Sequence, residues 1–113
     1  MILFDSNASF GRDMVNHECV NHEGFIVLEK VDIAEDADEL IRVMDRHGVR
    51  KAVVWHRAMY ELDPTAGNQK ILPQVENYPD RLAASWVILP EITDEEYAAN
   101  VFFDQMKKHG VKT

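Results

Sequence analysis

A chain of 113 residues with 46% hydrophobic residues and a net charge of −8 lies in the size range of one compact domain and outside the composition of disordered chains. Its 12 Lys and Arg are scattered along the sequence, so the basic patch of a nucleic-acid binder is missing and no such partner is expected. The lone cysteine, Cys19, cannot close an internal disulfide, and the start MILFDSNASF lacks the basic and apolar regions of a secretory leader. The apolar runs are far shorter than the ~20 residues needed to cross a bilayer. The expectation is a cytoplasmic protein with no membrane partner.

In chain order, the apolar run Ile2 to Phe4 followed by Asp5, Ser6 and Asn7 predicts a buried strand ending in a polar loop, because short polar side chains bond nearby backbone. Residues 6–30 show no sustained period, although Phe25, Ile26, Val27 and Leu28 suit a short strand or a packed loop segment. Asp32 and Glu35 have capping-box spacing, and Glu35, Asp36, Asp38 and Glu39 favour the positive end of a helix dipole. Ala37, Leu40, Ile41 and Met44 then recur at helical spacing, and Gly48 supplies the left-handed position after Arg46 and His47, which predicts a helix from Ile33 to His47. The unbroken apolar run Ala52 to Trp55 predicts a strand covered on both sides.

Asp63 to Asn68 reads as a turn cluster, and Gln69 to Tyr78 as a second helix stopped by Pro79. Pro73 predicts a kink there or a delayed start, since an interior proline removes a hydrogen bond and costs ~3 kcal/mol. Leu82 to Leu89 forms a third apolar run ended by Pro90. Thr93 and Glu96 make a second capping box, with Tyr97, Ala98, Val101, Phe102 and Met106 as the apolar stripe of a third helix that stops at Gly110.

The order β, long loop, α, β, α, β, α predicts an α/β fold with parallel strands joined by right-handed crossover helices. The motif His47-Gly48-Val49-Arg50-Lys51 returns as His109-Gly110-Val111-Lys112-Thr113, so the sequence reaches Thr113 where a fourth strand is expected to begin. An unpaired strand edge and uncovered apolar sheet faces are poorly tolerated by a soluble monomer. The expectation is one incomplete domain over residues 1–113, either a fragment cut before its fourth strand or a homo-oligomer completed by association.

The run Met44-Asp45-Arg46-His47-Gly48-Val49-Arg50-Lys51-Ala52-Val53-Val54 resembles the first-helix-to-second-strand junction of the metal-dependent amidohydrolases related to aminocarboxymuconate semialdehyde decarboxylase. Gly67-Asn68 leading to Tyr78-Pro79-Asp80-Arg81-Leu82 is similar to the segment by which those proteins enter their third strand, and Met1 to Asp5 fit their first strand. The resemblance implies the first three units of a TIM-type (β/α)8 barrel, with the active site at the carboxyl ends of the strands. It also implies a hydrolase or decarboxylase of a small organic acid, lactone or amide, often dependent on a divalent metal such as zinc. The family's first strand carries a His-x-His metal pair, and the corresponding positions here are Asn7 and Ser9. Neither replaces an imidazole, and the remaining ligands belong to later strands. No metal or other cofactor is therefore expected on this chain, and the chain alone is expected to be inactive.

On such a barrel Asp5, Asn7, Ser9, His56 and Arg57 would stand at the catalytic rim as substrate-binding residues. The ordinary alternatives are a loop that satisfies its own backbone for the first three and a polar strand end for the other two. The cluster His17-Glu18-Cys19-Val20-Asn21-His22-Glu23 has metal-binding side chains, but a five-residue spacing makes the two imidazoles diverge by ~140° on a helix. A solvated loop is the better reading. His47 and His109 suit helix C-terminal capping, Trp55 and Trp86 suit the core, with a ring near a strand end lining a pocket as the alternative, and no Gly-rich phosphate loop occurs. Two functional classes follow. One is the barrel enzyme with a small-molecule substrate, with a metal-free hydrolase or ligand-binding relic as its variant; the other is a non-catalytic α/β module that works by oligomerisation or ligand binding.

Overall fold

The computed structural model describes residues 2–11, 34–89 and 99–113. The expected strand at Phe25 to Leu28, the His17 to Glu23 cluster and the Asp32 and Thr93–Glu96 caps lie outside them. Three strands, β1 (Leu3–Phe10), β2 (Val49–His56) and β3 (Leu82–Ala84), form a parallel sheet in the order β1-β2-β3. Helix α1 (Ala37–Arg46) crosses from β1 to β2, and α2 (Ala58–Glu61) with α3 (Pro64–Val75) crosses from β2 to β3. Helix α4 (Ala99–Lys108) follows β3. The α/β class with parallel strands and crossover helices is therefore as the sequence predicts.

Strand β1 does not stop at Phe4. It continues through Asp5, Ser6 and Asn7, and their turn-forming chemistry is spent on a bulge instead: Asp5 Oδ1 accepts the Asn7 N–H at 2.9 Å. Between the pairs Asp5–Ala52 and Ala8–Val54, β1 advances one residue more than β2. The pairing to a neighbouring strand holds the backbone extended on both sides of that extra residue.

Helix α1 begins at Ala37 rather than Ile33, because the box that forms is Asp36–Glu39. Asp36 Oδ1 accepts the Glu39 N–H at 2.8 Å, and Glu39 Oε2 accepts that of Glu35 at 2.8 Å. Its far end matches expectation, with His47 as C-cap and Gly48 at φ 69°. Helix α3 starts five residues before Gln69, since Asp63 acts as an N-cap for the Ala66 N–H and Pro64 occupies the first turn. Pro73 is absorbed within its last turn. The short α2 was not foreseen, four residues being too few to display a period.

The core side chains of α1, α3 and α4 gather on one face of the sheet. Ala37, Leu40 and Met44 of α1, Ile71 of α3, and Phe102 and Met106 of α4 pack with Ala8, Phe10, Ala52, Val54, Leu82 and Ala84. The alternate residues Ser9, Val53, Trp55 and Ala83 remain part-exposed, as a period of two requires when one face is covered. The expectation that β2 is covered on both sides is thereby corrected among the described residues. Strand β3 is also shorter than Leu82 to Leu89. Beyond Ala84 the chain stays hydrogen-bonded but leaves the ladder, because β2 has turned into α2. Asn68 takes over as partner, donating to the Val87 carbonyl and accepting its N–H, both at 3.0 Å.

At the opposite end of the strands one side chain ties three segments together. Arg81 donates from Nε to the Arg50 carbonyl at 2.7 Å and from its terminal nitrogen to Asp45 Oδ1 at 2.6 Å and the Val49 carbonyl at 3.3 Å. Tyr78 donates to Asp38 at 2.7 Å beside it. No helix of the described residues is long and apolar enough to cross a membrane. Arg81→Lys keeps the charge but loses the planar fork, so a loss of ~1–3 kcal/mol is expected as a lower urea midpoint at unchanged m-value; an unchanged midpoint would show the knot to be passive.

Candidate functional site

The sequence brings small polar side chains and aromatic rings together at the carboxyl ends of β1 and β2. Ser9 pairs in register with Trp55, and residues facing each other across a parallel pair share one face of the sheet. Two residues earlier, Asn7 Oδ1 accepts the Trp55 indole N–H at 2.9 Å. The ring of Tyr60, on α2, stands edge-on to Trp55 with centroids 5.1 Å apart and is 78% exposed. Asn7, Ser9, Trp55 and Tyr60 thus form a neutral, half-open corner on the face that the helices leave bare.

The five residues expected at a rim separate into three environments. Asn7 and Ser9 stand together at this corner. Asp5 is exposed lower on β1, and its register beside Ala52 sets it in the row opposite to Ser9. The bulge between them causes this, since one extra residue inverts the alternation. His56 pairs with Phe10 and faces the helix layer, where it is 3% exposed. Arg57 turns away at the strand end and donates to Glu61 Oε1 at 2.9 and 3.2 Å.

His56 is held on several sides. Its Nδ1 accepts the Ala58 N–H at 3.1 Å, so in this hydrogen-bonded state the ring is neutral with its proton on Nε2. Phe10 meets it edge-on at 5.5 Å. Burial pushes its pKa below the ordinary 6.5, the charge of Lys70 pushes the same way, and Glu61 opposes them. Gly11 lies against the ring with φ 103°, and a Cβ there would sit 2.7 Å from His56 Cε1.

Tyr60 is the site member that sequence reasoning misses, and Trp55 takes the alternative to a core place, that of a ring near a strand end. Their signal was a pair of aromatic residues bracketing the strand end. A tryptophan one residue before that end points to the face opposite the last residue, whichever face is covered.

Comparisons with protein-family models, with curated proteins and with solved structures return no match. The site is accordingly interpreted from its own chemistry. A zinc ion would require imidazole, thiolate or carboxylate donors. Asn7 offers an amide oxygen already engaged by Trp55, Ser9 offers a hydroxyl, and no three His, Cys, Asp or Glu converge among the described residues. The residues of this corner do not fit a metal centre. What they can do is donate and accept neutral hydrogen bonds beside an aromatic surface.

Gly11→Ala would force a side chain into a left-handed backbone and against the imidazole. A loss on the order of 1–3 kcal/mol is expected, measured as a lower melting temperature; a variant as stable as wild type would refute the close packing of Gly11 on His56.

Proposed function

We propose that this chain supplies the first three units of a β/α barrel of the amidohydrolase type, and that the complete barrel hydrolyses or decarboxylates a small organic acid, lactone or amide. The observation that carries the reading is the winding of the sheet. Strands in sequential order β1-β2-β3, with the core side chains of α1, α3 and α4 on one face, suit a singly wound barrel arc, whereas a doubly wound sheet reverses its strand order and covers both faces. The bare face would line the interior of the barrel, and Asn7, Ser9 and Trp55 would stand at its catalytic end.

In that reading the chain's own contribution is to bind and orient. Asn7 and Ser9 would hold a carbonyl or hydroxyl of the substrate through neutral hydrogen bonds, and Trp55 with Tyr60 would cover an apolar edge. Metal-dependent steps are not assigned to these residues, because they do not fit one. Any acid, base or nucleophile would come from the strands that complete the barrel.

The resemblance itself is testable at the two residues where the family carries histidines. Asn7→His with Ser9→His places two imidazoles on one face of β1, and zinc binding measured by calorimetry should become tighter than in the wild type. No gain in a variant that keeps the wild-type circular dichroism would mean that β1 is not the ligand-bearing first strand, and the family assignment would fall.

A second reading rests on a different observation. Ile2, just before the edge strand β1, and Phe4 on it are 72% and 59% exposed, and an exposed apolar edge favours pairing with another chain. Here the protein is a non-catalytic α/β module that acts as a homo-oligomer. Light scattering with intact mass of the natively expressed protein separates the two. A chain of barrel size, typically ~250 residues, supports the enzyme; a native product of the present length that scatters as a dimer or larger supports the module.

A further inference from the structure

The end of β1 and the start of α2 meet at one ionisable side chain that neither functional reading uses. Helix α2 has Arg57 at its N-cap with no side-chain cap bond, and the Ala58 N–H is satisfied by His56 Nδ1 at 3.1 Å instead. The same ring lies over Gly11 and against the edge of Phe10. Backbone pairing reinforces the junction, since the Arg57 N–H donates to the Phe10 carbonyl at 2.9 Å. One imidazole therefore holds two strand ends and a helix start in place, and it does so through a lone pair.

We propose that His56 is a pH-sensitive latch, joining the end of β1 to the start of α2 while it is neutral and releasing both when it is protonated. An imidazolium has two donors and no acceptor, so it cannot take the Ala58 N–H. It would also sit in the helix-covered layer at 3% exposure, where a charge is costly unless paired. The charged groups set around it are Lys70 on α3, which disfavours the cation, and Glu61 on α2, which favours it; Glu61 is itself engaged by Arg57, which adjoins His56 in sequence. Desolvation and Lys70 together outweigh Glu61.

The sign follows from linkage. In the released state the ring is solvated and titrates near its ordinary 6.5, and in the latched state it titrates lower. The released state thus binds more protons below 6.5. The latch is fully closed above that value and loosens as the pH falls from 6.5 toward the lowered value. Each unit of depression is worth a factor of ~10 in the opening equilibrium. Ser9 and Trp55 immediately precede Phe10 and His56 in the two strands, so release would loosen the neutral corner without any group of that corner titrating.

The experiment is amide hydrogen exchange with mass-spectrometric or NMR detection at pH 7.5 and 5.0, each rate divided by its intrinsic chemical rate. Protection at Ala58 and Arg57 should be lost in part at the lower pH, while the central-strand amide of Ala52 stays protected. His56→Asn retains a short side-chain acceptor for the N–H two residues on and cannot titrate, so its profile should be flat. Titration of the His56 Cε1 proton in the unmutated protein needs no variant and should report a midpoint below 6.5. Equal protection at both pH values, a pH response that survives in His56→Asn, or a His56 midpoint at or above 6.5 would each overturn the latch. None of these outcomes depends on the barrel assignment, whose test is zinc binding at residues 7 and 9.

Discussion

Burial of one face of three parallel strands is the constraint from which the other features derive. Parallel neighbours cannot be joined by a tight turn, so the chain must cross back over the sheet each time. Here the crossings deliver Leu40 and Met44, then Ile71, and finally Phe102 and Met106 to one side. Four of the helix-facing strand residues, Ala8, Ala52, Val54 and Ala84, are small and buried, and small side chains let helices approach the sheet closely. A polar group in this layer is costly without a partner, and His56 brings one in the Ala58 N–H. The other face carries Asn7, Ser9 and Trp55, which stay exposed or part-exposed.

The two ends of the strands divide the work. At the amino ends, Arg81 binds the backbone where β2 begins and reaches the last turn of α1 through Asp45, so its role is structural. At the carboxyl ends His56 fastens the start of α2 through the Ala58 N–H, and Tyr60 projects into solvent. The carboxyl ends are where β/α folds place binding sites.

The sequence made the helices legible wherever a cap and an apolar stripe coincided. Leu40 and Met44 are buried as their spacing requires, and Gly48 and Gly110 have positive φ at the helix ends. Boundaries failed where one residue type serves two purposes. Asp5, Ser6 and Asn7 suit a loop and a bulge equally, and only the neighbouring strand decides between them. Asp63-Pro64 suits a turn and a helix start equally, and the structure uses it for the latter. The candidate site was half legible for the same reason. Strand-end position was right for Ser9 and His56, but facing is a matter of parity, and a single bulge between Asp5 and Ala8 changes parity without leaving a mark in composition.

The bond pair between Asn68 and Val87 has a chemical consequence for what this position can be. A carboxamide held 3.0 Å from both a backbone N–H and a backbone C=O imitates one peptide unit of a missing strand. Its isostere aspartate has no donor, and its carboxylate would confront the Val87 carbonyl oxygen across the same gap. Leucine matches the volume but answers neither group, and glutamine carries the amide one methylene too far.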